Sequence, residues 1–237
     1  MQENKVAIIT GGSAGIGYGI AESLLKEGYK VAISSRSDKR AQEATEKLKQ
    51  AGAEEVMGLE VDVRSLKSQE AAIKKVLERW GKLDVFIANA GVGHFASIED
   101  LSIEKWHETI DTNLTGPFYS IKASMEALKA SKGYYITISS LAGTNFFEGA
   151  SAYNASKFGL TGFTQAVMLD LRNAGIRVTT IMPGSVATAF NNHETSDEDA
   201  WKIQKEDIGE LVANILKMNV RALPSKIEIR PSQPPRK

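Results

Sequence analysis

Tyr153 and Lys157 stand four residues apart in the segment S-A-Y-N-A-S-K-F-G-L. On a helix, residues i and i+4 share a face, so phenol and ammonium project into the same space. A free tyrosine has a pKa near ~10 and is a sluggish acid at neutral pH. A cation beside it favours the phenolate and draws that pKa toward working pH. A tyrosine poised in this way can give a proton to a carbonyl oxygen while a hydride arrives at the carbon. The spacing alone is weak evidence, because Y-x-x-x-K also arises in helices whose lysine only solvates a face. Its weight depends on what the rest of the chain places around it.

Apolar strand-like runs alternate with helical patterns along the whole chain. The pattern predicts strands over 6–10, 30–34, 56–61, 83–88, 134–140, 178–182 and 226–230. It predicts helices up to Glu27 and over 38–50, 66–80, 104–130, 151–173 and 207–217. Continuous Val/Ile runs joined by helices imply a parallel sheet covered on both faces. Right-handed crossovers then give an α/β, doubly wound sheet. No internal repeat and no linker rich in Pro, Gly or Ser divides the chain, so we expect one domain over 1–237. Prolines in the tail 231–237 cannot extend the last strand, and that tail is expected to fray.

The first strand runs into T-G-G-S-A-G-I-G, with Gly11, Gly15 and Gly17 ahead of a helix. Glycine lets the backbone turn tightly and approach a pyrophosphate, and a helix N-terminus offers unpaired N–H groups. The spacing is G-x-x-x-G-x-G rather than G-x-G-x-x-G, but the strand–turn–helix context is the required one. At the end of the second strand stand Ser35 and Arg36, with no acid. An acid there selects a free ribose, whereas arginine accommodates an added 2′-phosphate. The plain alternative is a solvated arginine in a loop that also carries Lys39 and Arg40.

Bulk properties narrow the function classes. Lys+Arg and Asp+Glu both number 29, so no net charge favours nucleic acid or an acidic membrane. The chain has no cysteine, which excludes disulfides and thiolate catalysis and permits a reducing cytoplasm. No signal-peptide layout precedes the first strand, and no apolar run approaches the ~20 residues of a membrane span. We therefore expect a cytoplasmic protein. A surface near neutrality also fits a homo-oligomer.

Three further elements follow in order: Asn89-Ala90-Gly91 after the fourth strand, Asn113 in D-T-N-L-T-G, and Ser139-Ser140 ending the fifth strand. With these, nearly the whole chain resembles the classical short-chain dehydrogenase/reductase family. The resemblance implies a Rossmann-like fold and an NAD(P)-dependent oxidoreductase acting on C=O or CH–OH groups. It implies that Tyr153 donates the proton, that Lys157 holds the nicotinamide ribose and that Ser140 bonds the substrate carbonyl. Asn113 would hold a water linking Lys157 to solvent. Read without the family, a mid-helix asparagine is more often a buried polar group satisfied by backbone than a catalytic one. Gly11, Ser13, Gly15, Ile16 and Gly17 would hold the phosphates, and Asp62 and Val63 the adenine. Asn89, Ala90 and Gly91 would line the adenosine-ribose side. Pro183, Gly184, Val186 and Thr188 would receive the nicotinamide amide.

Two departures bear on specificity. Many NADP-preferring members carry a basic residue just before the second motif glycine; here it is Ala14, so NADP(H) preference leans on Ser35 and Arg36. The ending K-I-E-I-R-P differs from the Gly-Gly ending of typical 3-oxoacyl-acyl-carrier-protein reductases and is closer to carbonyl, sepiapterin and 3-hydroxy-acid members. The leading expectation is an NADPH-dependent reductase of carbonyls or 3-oxoacyl thioesters. Alternatives are an enzyme of small polar substrates (pterins, sugars, 3-hydroxy acids) or a non-catalytic NADP-binding sensor. His94, Phe95, Phe146, Phe147, Phe190 and His193 fall where such a fold places its substrate cleft. The two histidines lack a third ligand at metal-site spacing, and no metal is expected. Residues 190–203 would form a short polar lid, mobile without ligand. A homodimer or homotetramer through the long helices is the family's pattern.

Overall fold

The computed structural model describes residues 4–194 and 196–233. Seven strands form one parallel sheet: β1 (Val6–Ile9), β2 (Lys30–Ser35), β3 (Val56–Glu60), β4 (Val85–Ala88), β5 (Tyr134–Ile138), β6 (Arg177–Pro183) and β7 (Lys226–Ile229). Their order is β3-β2-β1-β4-β5-β6-β7, so the winding reverses between β1 and β4. Ligands of such sheets bind outside the carboxyl ends of the strands at that reversal.

Strand side chains alternate between two apolar cores. Ala7 and Ile9 enter one core with Ile20 and Leu24 of α1 (Gly15–Lys26), Ala44 and Leu48 of α2 (Asp38–Gln50), and Ile208 and Val212 of α7 (Lys205–Lys217). Val6 and Ile8 enter the other. There they meet Ile73 and Val76 of α3 (Leu66–Trp80) and Ile121 and Leu128 of α5 (Gly116–Ser131), with Phe163 and Val167 of α6 (Ser151–Leu171) packed alongside. This is the expected doubly wound, Rossmann-like sheet with helices on both faces.

The predicted helix over 104–130 is not continuous. It is α4 (Ile103–Ile110) and α5 (Gly116–Ser131), joined by a π-helical turn at Asp111–Thr115. Apolar periodicity runs through such a turn and cannot show it. The extra residue re-aims the side chains on it, as π-turns at functional positions do.

One packing contact has no slack. A Cβ on Gly19 would lie 2.5 Å from the carbonyl oxygen of Lys205 at the start of α7. One on Gly209 would lie 2.5 Å from the carbonyl oxygen of Gly19. Backbone cannot yield as a side-chain tip does. Gly19→Val should therefore cost roughly 1–3 kcal/mol of stability, the clash outweighing its better helix propensity. An unchanged urea midpoint would show that α1 and α7 can part without cost.

Candidate active site

A cleft of about 1470 Å³ runs across the carboxyl ends of the strands. Arg36 and Arg40 line it, as do Tyr153, Lys157 and Phe190. Tyr153 and Lys157 share the inner face of α6, and Ser140 follows β5. Lys157 is 5% exposed. Its Nζ donates to the Ile138 carbonyl at 3.0 Å and lies 5.7 Å from the centre of the Tyr153 ring. Burial disfavours the ammonium and lowers its pKa to about 8.

The phenol behaves differently from the expectation. Burial raises the Tyr153 pKa above its ordinary value, and a hydrogen bond with Ser140 only opposes this. Lys157 therefore does not draw the phenol down in this site. Burial penalises the charged phenolate, and this outweighs the opposing hydrogen bond with Ser140. Tyr153 is protonated at neutral pH, the form that can donate. Ser140 is held by accepting from the Ala142 N–H at 3.1 Å. Ser139, one residue earlier, is buried and bonded to the Lys157 carbonyl and to Thr161.

Asn113 sits on the π-turn and does not line the cleft. Its Nδ2 donates to the Val92 carbonyl at 2.8 Å and to Ser156 Oγ at 3.0 Å. Its Oδ1 accepts from the Val92 N–H at 2.8 Å. The amide thus clamps the loop after β4 from behind. A Cβ on Gly91 would lie 3.3 Å from Asn113 Oδ1 and 3.8 Å from Lys157 Nζ. The bare glycine keeps those three groups together.

The glycine loop has the backbone its sequence implied. Gly11 and Gly15 have φ of +64° and +54°, which side-chain-bearing residues rarely adopt. Asn89 pins the loop, donating to the carbonyls of Thr10 at 2.9 Å and Gly11 at 3.2 Å. Gly17 is buried behind it; a Cβ there would meet Asn89 Nδ2. Gly11, Gly15, Ile16, Asn89, Ala90 and Gly91 line the cleft, whereas Ser13 and Gly17 do not.

Beyond them lie Ser35, Arg36, Val63 and two cleft residues the motifs did not single out, Ser37 and Arg40. Ser37 caps α2, accepting from the Arg40 N–H at 3.4 Å. Asp62 does not line the cleft; Arg64 takes its carboxylate in a fork at 2.8–3.2 Å and holds its pKa down. Its neighbours Val61 and Val63 face the cleft instead.

Pro183, Gly184, Val186 and Thr188 line the cleft as well. Around Tyr153 the rings form an apolar box. The Phe95 ring lies 5.4 Å edge-on from that of Tyr153, Phe190 lies 6.0 Å from it, and Phe147 lies 5.9 Å from Phe95. Gly93 makes room for Phe190, since a Cβ there would lie 2.8 Å from its Cε1. Phe146 is 85% exposed and outside the cleft, while His94 and His193 line it.

The segment 190–203, expected to act as a lid, is cross-linked within itself. Buried Asp199 joins His193 Nε2 at 2.6 Å and Lys202 Nζ at 2.5 Å, and these bonds, Lys202 first, lower its pKa to about 2. Its loop-like composition hid this clamp. Thr195 of that segment lies outside the described residues, as do 234–237 of the tail.

A dinucleotide fits these residues on two observations. The positive-φ glycines leave bare backbone at the mouth of α1, where a helix N-terminus suits an anion. Thr112 lines the cleft, is 4% exposed, and its hydroxyl has no partner within the protein.

The family profile described as short chain dehydrogenase matches residues 5–199. The chain belongs to the short-chain dehydrogenase family. Among its relatives in this family is trans-4-hydroxycyclohexanecarboxylate dehydrogenase of Sinomonas cyclohexanicum, 36% identical over 189 residues, 78% of this chain and 73% of that one. The structure of an alcohol dehydrogenase from the archaeon Thermococcus sibiricus, complexed with 5-hydroxy-NADP, superposes with a TM-score of 0.90. It is 32% identical and covers 98% of this chain and 99% of its own. The structure of an actinorhodin polyketide ketoreductase variant with NADPH gives 0.87 at 31% identity, with 96% of each chain covered. As a short-chain dehydrogenase this protein is an oxidoreductase of alcohol and ketone groups in small-molecule substrates, and its cofactor is a nicotinamide dinucleotide. Among the described residues no helix is long and apolar enough to cross a membrane, and no cluster of three His, Asp or Glu could hold a metal.

Proposed function

We propose that the chain is an NADPH-dependent reductase of an apolar ketone, of the 3-oxoacyl-thioester kind. The observation that carries the reading is Tyr153, protonated and bonded to Ser140, inside a box of Phe95, Phe147 and Phe190. When bound, the nicotinamide supplies the hydride. Ser140 and Tyr153 offer two donors to the carbonyl oxygen on which charge develops, and Tyr153 gives it the proton. Lys157 replenishes that proton from its ammonium and holds the ribose. Asn113 keeps the loop at Val92 and the back of the Lys157 pocket in register. The rings of Phe95, Phe147 and Phe190 give the substrate an apolar surface beside the reacting oxygen.

NADPH rather than NADH is favoured by Arg36 and Arg40 beside the start of α2, where a 2′-phosphate would meet two guanidinium groups and a helix N-terminus. Exposed Phe118, Phe158 and Leu169 on α5 and α6 support association through those helices into a dimer or tetramer. The chain acts as one domain, with 190–203 as its lid.

A second reading has its own observation. Lys202 and Arg230 line the cleft, and these cations would suit a small hydroxy or keto acid. NADPH consumption should be followed with an acetoacetyl thioester, an aromatic ketone and 4-oxocyclohexanecarboxylate. Turnover of the first or second above the third supports the apolar reading. Turnover of the keto acid alone replaces it.

A further inference from the structure

Glu108 is used by neither the motifs nor the catalytic geometry. It stands on α4, five residues before Asn113, and lines the cleft. Its Oε1 accepts from Arg36 Nη1 at 3.2 Å, and its Oε2 lies 2.9 Å from His94 Nε2. Arg36 follows β2 and His94 follows β4, so one carboxylate ties three elements across the Arg36 end of the cleft. The hydrogen bond with His94, and next that with Arg36, hold its pKa below the usual range, so it is charged at neutral pH.

We propose that Glu108 sets the discrimination between phosphorylated and unphosphorylated adenosine by competing with the 2′-phosphate for Arg36. The proposal rests on the reading of Arg36 as the phosphate cation. A guanidinium offers one fork to either anion. A 2′-phosphate carries close to two charges and competes with the single Glu108 carboxylate for that fork. The Arg36–Glu108 pair is half exposed and therefore weak, so the phosphate displaces it, but at a cost. Adenosine without that phosphate makes no claim on Arg36 and leaves the pair intact. Glu108 would thus lower the preference for the phosphorylated form without touching affinity for the other. A glutamine there keeps the size and can still accept from His94.

Adenosine 2′,5′-bisphosphate and 5′-AMP separate the two forms without turnover. In calorimetric titrations of the full chain, Glu108→Gln should tighten bisphosphate about two- to fivefold. Binding of 5′-AMP should stay within about twofold. Arg36→Ala should weaken bisphosphate, and adding Glu108→Gln to it should then change nothing. If Arg36→Ala weakens bisphosphate but Glu108→Gln leaves it unchanged or weakens it, Glu108 orients Arg36 and the competition is wrong. If the Glu108 effect persists in the double variant, it does not act through Arg36, and the proposal fails. If Arg36→Ala costs bisphosphate nothing, the reading of Arg36 itself falls and takes this one with it.

Discussion

Tyr153→Phe should cut ketone reduction by about 10²–10⁴-fold, the usual contribution of a positioned acid, while dinucleotide affinity moves by less than about twofold. The substitution removes one O–H and little else. The ring would keep its packing against Phe95 and Phe190, and Ser140 would keep its bond from the Ala142 N–H. An interaction made only as charge develops on the substrate oxygen lowers kcat and kcat/KM together. Because burial raises the phenol's pKa, the donating form persists across neutral pH. Alcohol oxidation needs the phenolate and should gain speed as pH rises. Tyr153→Phe should flatten that rise. Steady-state rates in both directions across pH check this; a variant keeping more than a tenth of the parental rate removes Tyr153 from the acid role.

Lys157→Met should lower the rate by a similar factor and should also weaken dinucleotide binding, since one ammonium serves both. Its pH signature is specific. Lys157 has a folded pKa of about 8, below the ordinary 10.5. In the parent, kcat/KM for reduction should fall as pH rises through about 8 and the ammonium is lost. That limb should vanish in the variant. Stability gives an independent sign. Between about 8 and 10.5 the unfolded chain holds a proton that the folded chain has released, so this group makes stability rise with pH. Urea melts across that window should show the slope in the parent and lose it in Lys157→Met. An unchanged slope would mean that the ammonium is not buried as described, and unchanged kinetics would undo both roles.

Local pattern determined the strands, most helices and the glycine loop. Short Val/Ile runs between helical patterns read as strands of a covered sheet, and a glycine run between strand and helix has few other uses. The i, i+4 spacing of Tyr153 and Lys157 carried directly into one helix face, because helix geometry is local. What lay beyond reach was long-range. The π-turn at Asp111–Thr115 leaves no trace in apolar periodicity, yet it sends Asn113 onto the Val92 backbone and leaves the Thr112 hydroxyl buried without a partner. The expectation that Lys157 lowers the Tyr153 pKa considered only the pair; burial, which depends on everything packed around it, reverses the sign. Asp62 and Phe146 have the expected residue types, but Arg64 engages one and solvent receives the other. Glu108 meets Arg36, 72 residues earlier, and His94 only because β2, β4 and α4 end at the same edge of the sheet. Residue type and short spacing determined which chemistry this chain can do. Burial and contacts between distant segments, which exist only once the chain is folded, decided which groups carry charge and what each one faces.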